Sequence, residues 1–156
     1  YTVSKRMLRS FVSSYKHDFT HWHFYIPTIY GAGENPKRLI PYVINAIRNG
    51  EELHFTAGDQ TRQYVHVSEV PRMLAQAFDK NLPSGLYNIQ GKETVTVKEI
   101  VTEIHHAMDK EVPDGCFGSV QRADVGMKYL ALDGKKLHDA IGFEARIKIT
   151  DVIDTY

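Results

Sequence analysis

The chain is 156 residues long, and its nineteen lysines and arginines are balanced by nineteen aspartates and glutamates, so the formal net charge is zero. No global field then draws it to nucleic acid or to an anionic membrane, no apolar run reaches transmembrane length, and no secretory signal is present. A single cysteine, Cys116, excludes an internal disulfide framework, and the expected compartment is the cytoplasm.

Val3, Met7, Leu8, Phe11, Val12 and Tyr15 recur at helical spacing, which predicts a helix over 2–16 with a buried face. Residues 21–29, rich in aromatic and β-branched side chains, read as a strand that runs into I-P-T-I-Y-G-A-G-E. A polar connection over 30–38 leads to a helix at 39–48, stopped by Asn49 and Gly50. Two short strands at 53–57 and 62–67 follow, joined through Gly58 and Asp59. Ser68 reads as the N-cap of a helix reaching about residue 78, with Glu69 at its positive end and Pro71 tolerated in the first turn.

Pro83, Ser84 and Gly85 break the chain before a strand at 86–89. Thr96 and Glu99 have capping-box spacing, so the next helix starts at Val97 and buries Ile100, Val101, Ile104 and Met108. D-G-C-F-G-S is a loop, 128–132 a short strand, 134–140 a helix closed by Gly142, and 150 onward a terminal helix. No repeat, low-complexity tract or linker divides the chain, and at this length one compact domain buries about 70% of its unfolded surface.

Tyr1 and Lys5 stand one helical turn apart at the head of the first helix, where residues i and i+4 share a face. An ammonium so placed stabilises a phenolate and turns tyrosine into a usable acid/base; an exposed surface pair is the alternative. His17 and His21 flank H-D-F-T-H, which has the outline of a zinc-hydrolase H-E-x-x-H. The segment falls where helix gives way to strand, and no metal site is expected. His23, His54, His66, His105 and His106 form no ligand spacing, and Cys116 has no base beside it in sequence.

Four blocks stand in a fixed order: Y-x-x-x-K on a helix, a strand ending in P-T-I-Y-G-A-G, G-D-Q-T-R-Q-Y-V-H-V-S-E-V at 58–70, and L-Y-N-I-Q-G with T-V-K-E at 86–99. This order resembles the extended short-chain dehydrogenase/reductases that act on nucleotide sugars: epimerases, 4,6-dehydratases and 4-keto reductases. The resemblance implies an α/β fold, the C-terminal portion of a Rossmann-type enzyme. It implies that the family's N-terminal dinucleotide-binding half lies outside these residues, since no G-x-x-G-x-x-G follows an opening strand and no triad Ser or Thr stands before Tyr1. It implies one fragment, with a catalytic helix and the last Rossmann strands over about 1–30 interleaved with a substrate-binding lobe over about 31–156.

The resemblance also implies roles. Tyr1 exchanges a proton with a sugar hydroxyl while that carbon gives or takes a hydride from NAD or NADP, and Lys5 supports the tyrosine and holds the nicotinamide ribose. Ile26 and Pro27 fall where the family's backbone meets the nicotinamide. Thr28 occupies the place of an Asn that contacts the sugar diphosphate, and Tyr25 stands where many members have Arg. Leu39 and Ile40 match apolar positions beside the nucleotide base, or are core positions of an amphipathic helix. Arg62 matches an arginine that grips the diphosphate, in fork geometry suited to it, although Gln63 replaces the usual Asp after it. Arg122 and Asp124 resemble a late R-P-G-D element for phosphate and ribose, here one residue shorter.

The expected partners are a nucleotide-diphosphate sugar and a second copy meeting through the N-terminal region, with no nucleic acid and no membrane. The isolated fragment is expected to be inactive. A non-catalytic nucleotide-sugar or protein-binding module on the same fold is the competing reading, and a stand-alone hydrolase using His17, His21 or Cys116 is a third.

Overall fold

A computed structural model describes residues 1–14, 18–121 and 127–156. Helix α1 (Thr2–Ser14) is followed by strands β1 (Trp22–Tyr25) and β2 (Thr28–Tyr30), helix α2 (Leu39–Asn49), strand β3 (Thr61–His66) and helix α3 (Glu69–Asp79). Strands β4 (Gly85–Asn88) and β5 (Glu93–Thr96), helix α4 (Val97–Ala107), strand β6 (Tyr129–Leu130), helix α5 (Lys135–Ile141) and a terminal 3₁₀ helix (Ile149–Thr155) complete it.

The strand expected over 21–29 is two strands in two sheets. Strand β1 pairs in parallel with β4, Trp22 opposite Gly85 and Tyr25 opposite Asn88. After Ile26 and Pro27 the chain joins the other sheet, where Thr28 lies opposite Tyr64 and Tyr30 opposite His66. Proline offers no N–H to a ladder, so the change of partner falls at that residue. Strand β3 is the hub: β2 pairs with its second half and β6 with Thr61 and Arg62, while β5 runs antiparallel along its other edge.

Side chains alternate across a strand, and β3 uses both faces. Tyr64 belongs to a core built with Ile40, Val43, Ile44, Ile100, Ile104 and Ile149. Its neighbour Val65 belongs to a second core with Met73, Ala77, Leu82, Ile89, Leu137 and Phe143. Gly91 runs so close to this strand that an added Cβ would lie 2.1 Å from the Tyr64 carbonyl oxygen.

The capping box is present as expected: Thr96 Oγ1 accepts the Glu99 N–H at 3.1 Å, and Glu99 Oε2 accepts the Thr96 N–H at 2.7 Å. Gly50 and Gly142 end α2 and α5 in the left-handed conformation. Three further expectations are corrected, and one strand is added. Residues 53–57 hold only an isolated bridge, Phe55 to Phe117, and residues 93–96, not predicted, form β5. Ser68 is helical and makes no side-chain cap; its hydroxyl meets His66 Nδ1 at 2.8 Å instead. Helix α1 is amphipathic but buries none of its described residues, because no element of the described chain lies over Val3, Met7 and Leu8, which are each more than half exposed.

A buried carboxylate fastens the C-terminal segment. Glu69 Oε1, on the first turn of α3, accepts the backbone N–H of Arg146 at 2.7 Å and of Ile147 at 3.1 Å, while Oε2 accepts Arg72 Nε at 2.6 Å. Burial raises its pKa, but these donors and the Arg72 charge outweigh burial and hold it below the ordinary carboxylate value.

Candidate active site

A cavity of about 740 Å³ opens between α2, β3 and the segment before β3, lined among others by Thr28, Leu39, Ile40, Arg62 and Tyr64. These come from β2, α2 and β3, of which the two strands are brought together by the sheet register. Thr28 on β2 lies opposite Tyr64 on β3, and Arg62, two residues before Tyr64, shares its face. Arg62 Nη1 donates to the Thr61 carbonyl at 2.8 Å. The Tyr64 phenol is pushed up to about 12, first by burial, with Arg62 opposing and Glu34 reinforcing, so it stays a neutral hydrogen-bond donor.

The polar connection before α2 supplies the opposite wall. Glu34, Lys37 and Arg38 all line the cavity, and Arg38 Nε donates to Glu34 Oε1 at 2.7 Å. Burial raises the Glu34 carboxyl; Arg38, the Tyr156 hydroxyl and the Gly31 backbone act the other way. The lining also includes Phe55, Tyr42, Val97 and Val120, with Thr56 and Gln60 beside them. Phe55 stacks on Phe117 with centroids 5.4 Å apart and meets Tyr42 edge-on at 6.1 Å. The turn entering this wall requires glycine at Gly31, whose φ is +151° and whose Cβ would sit 2.6 Å from Val67 Cγ1.

Tyr1, Lys5, Ile26 and Pro27 do not line this cavity. The Lys5 ammonium lies 5.3 Å from the Tyr1 ring centroid, and Tyr1 is 94% exposed. Helix α1 reaches β1 through Arg9, 5.8 Å from the Tyr25 ring centroid. His23 on β1 has its pKa lowered by burial, then by His21, Arg9 and Lys5. Ile26 and Pro27 lie at the C-terminal end of β1, where the chain changes sheets; such ends are where open α/β sheets bind ligands.

Arg122 and Asp124 lie outside the described residues, as does His17. Val120, before that stretch, lines the cavity, and Leu130, after it, pairs with Arg62. Gln63, in the place of the family's Asp, is 2% exposed. Its amide donates to Thr94 Oγ1 at 3.1 Å and the Leu132 carbonyl at 3.2 Å, and accepts the Leu132 N–H at 3.3 Å. Cys116 is buried, and burial pushes its thiol up. Among the described residues no group of three His, Cys, Asp or Glu could hold a metal ion.

Sequence reasoning missed Glu34, Lys37, Arg38, Tyr64 and Phe55 as cavity residues. The signal for Tyr64 was its alternation with Arg62. For Lys37 and Arg38 it was a pair of cations in a turn directly ahead of a helix.

Fold and site together define an α/β unit of Rossmann type. The sequence pattern of the NAD dependent epimerase/dehydratase family matches residues 1–89, and the chain belongs to that family. Among solved structures, it is similar to the Bordetella bronchiseptica enzyme WbmG in complex with NAD and UDP, with 18% identity, a TM-score of 0.78, and coverage of 99% of this chain and 47% of that one. It is likewise similar to a UDP-glucuronic acid 4-epimerase from Bacillus cereus, with 17% identity, a TM-score of 0.79, and coverage of 97% and 48%. MoeE5 in complex with UDP-glucose and NAD is 25% identical with a TM-score of 0.74, covering 97% of this chain and 50% of that one. The chain thus spans about half the length of these structures. No curated protein matches it.

Proposed function

We propose that this chain is the nucleotide-sugar-binding part of an NAD(P)-dependent epimerase, dehydratase or reductase. The observation that carries the reading is the cavity, whose lining combines Lys37, Arg38 and Arg62 with Phe55, Val97 and Val120. A nucleoside diphosphate offers matching chemistry, a π face for the aromatic and aliphatic residues and two phosphates for the cations. In this reading Arg62 and the cations of the turn hold the diphosphate, Thr28 and Tyr64 donate to its oxygens or to the sugar, and Leu39 and Ile40 flank the base. Arg122 and Asp124 add contacts to phosphate and ribose.

In this reading Tyr1, Lys5, Ile26 and Pro27 are the residues that would meet NAD or NADP; an exposed phenol with a cation over its ring suits that role. The nicotinamide, when bound, supplies the hydride exchange. Tyr1 holds or accepts the proton of the reacting sugar hydroxyl, and Lys5 balances the charge that develops on the phenol. A second copy is the expected partner of α1, whose Val3, Met7 and Leu8 are exposed.

The test is turnover of nucleotide sugars with NAD(P) by a full-length protein containing this chain. The 156 residues alone are expected to bind without turning over, since hydride donor and sugar must be held together. Binding without turnover by the full-length protein would instead identify a non-catalytic module.

A further inference from the structure

A second cavity, of about 420 Å³, lies against the C-terminal end of α2 and is walled by residues 110–116. Among the described residues it shares only His54 with the cavity of the candidate active site. Its inner lining includes the buried Ala46, Leu53 and Cys116 together with His105, on the last turn of α4, which is 2% exposed. His105 Nδ1 lies 2.8 Å from the Val101 carbonyl oxygen. A carbonyl only accepts, so Nδ1 carries the proton, and Nε2 of the neutral ring is an acceptor. Nε2 has no partner among the described residues. No unpartnered side-chain nitrogen or oxygen among those residues is sealed from solvent, so Nε2 opens onto the cavity that His105 lines.

The mouth is acidic. Glu51, Glu52, Glu111 and Asp114 line it against the single ammonium of Lys110. Glu51 accepts from Asn49, and Glu52 lies 3.5 Å from His54, whereas the carboxylates of Glu111 and Asp114 meet no donor or cation among the described residues. We propose that this cavity is a second binding site, for a small organic cation that carries an ammonium on an apolar body. The body displaces water from Ala46, Leu53 and Cys116, and the ammonium donates to His105 Nε2 within the field of the unmet carboxylates. A ligand carboxylate has no proton for Nε2 and is repelled at the mouth, so charge sets the specificity. The volume lies within the range of small-molecule sites, about 300–1,000 Å³. This site stands independently of the nucleotide-sugar reading.

The experiment titrates a full-length protein containing this chain with phenethylamine, phenethyl alcohol and phenylpropionate, three probes with one apolar body and different charge, while the histidine ring nitrogens are followed by NMR. The amine is expected to bind about tenfold more tightly than the alcohol, the carboxylate more weakly than either, and the amine to shift the His105 Nε2 resonance. Glu111→Gln combined with Asp114→Asn, two exposed positions, should narrow the amine-to-alcohol ratio to about twofold, and His105→Phe, which keeps a ring but no acceptor, should weaken the amine about tenfold. Failure of the amine to bind, equal affinities for the three probes, an unmoved His105 resonance, or a ratio that persists in the Glu111/Asp114 variant overturns the proposal. Should circular dichroism show His105→Phe unfolded, the parent's His105 resonance and the Glu111/Asp114 variant still decide it.

Discussion

Glu69 accepts the backbone N–H of Arg146 at 2.7 Å, although 77 positions separate the two residues. The bond joins the first turn of α3 to the segment leading into the terminal 3₁₀ helix, which closes the core beneath the cavity.

Because the donors around Glu69 hold its pKa below the unfolded value, it contributes stability that is present above the unfolded carboxylate pKa and is lost as pH falls through the folded one. Glu69→Gln is expected to lower unfolding free energy by about 2 kcal/mol at neutral pH, since it replaces a charge-assisted acceptor in a buried site. Urea titrations between neutral and acidic pH check this. The difference between parent and variant should shrink on the acid side, and a constant difference would show that Glu69 acts through packing alone.

Arg62→Ala should weaken UDP binding by about 1.5–3 kcal/mol, the worth of a charge-assisted contact. Its guanidinium donates to the Thr61 carbonyl, a contact of the backbone beside it, so the thermal midpoint should move little. Calorimetry alongside a melting curve separates the two effects, and an unchanged affinity would remove Arg62 from the diphosphate site.

In a full-length protein, Tyr1→Phe deletes the transferable proton but keeps the ring. Turnover should fall by about 10²–10⁴-fold while nucleotide-sugar affinity stays close to that of the parent. A normal rate would exclude Tyr1 as the acid/base.

The exposed Val3, Met7 and Leu8 of α1 predict concentration-dependent association of this chain. Replacing Met7 and Leu8 by glutamate should shift sedimentation toward the monomer without altering the α3–β3 core. Identical sedimentation of parent and variant would place the contact elsewhere.

Much of the fold was legible because local chemistry decided it. Thr96 and Glu99 announce their capping box by spacing alone, and Gly50 and Gly142 mark helix ends that need a left-handed residue. Features set by partners distant in sequence were not legible. Glu93–Thr96 has too short and polar a pattern to declare a strand, and it becomes one through pairing with Thr61–Tyr64. The apolar stripe of α1 was readable, but not the absence of a described surface over it. At the site, Arg62 stood out within its motif. The pair of Glu34 and Arg38 did not, because a turn has no period from which a common wall can be read.

Strand β3 has Tyr64 facing the cavity side and Val65 packed in the opposite core, so its positions cannot drift independently. A larger residue at one disturbs the other through the shared backbone, and a new ligand preference reached through β3 would need coordinated changes on both sides of the sheet. The connection carrying Glu34, Lys37 and Arg38 is under no such double constraint, since its side chains reach the cavity from a turn. Diversification of binding specificity on this scaffold, natural or engineered, has its least obstructed route there.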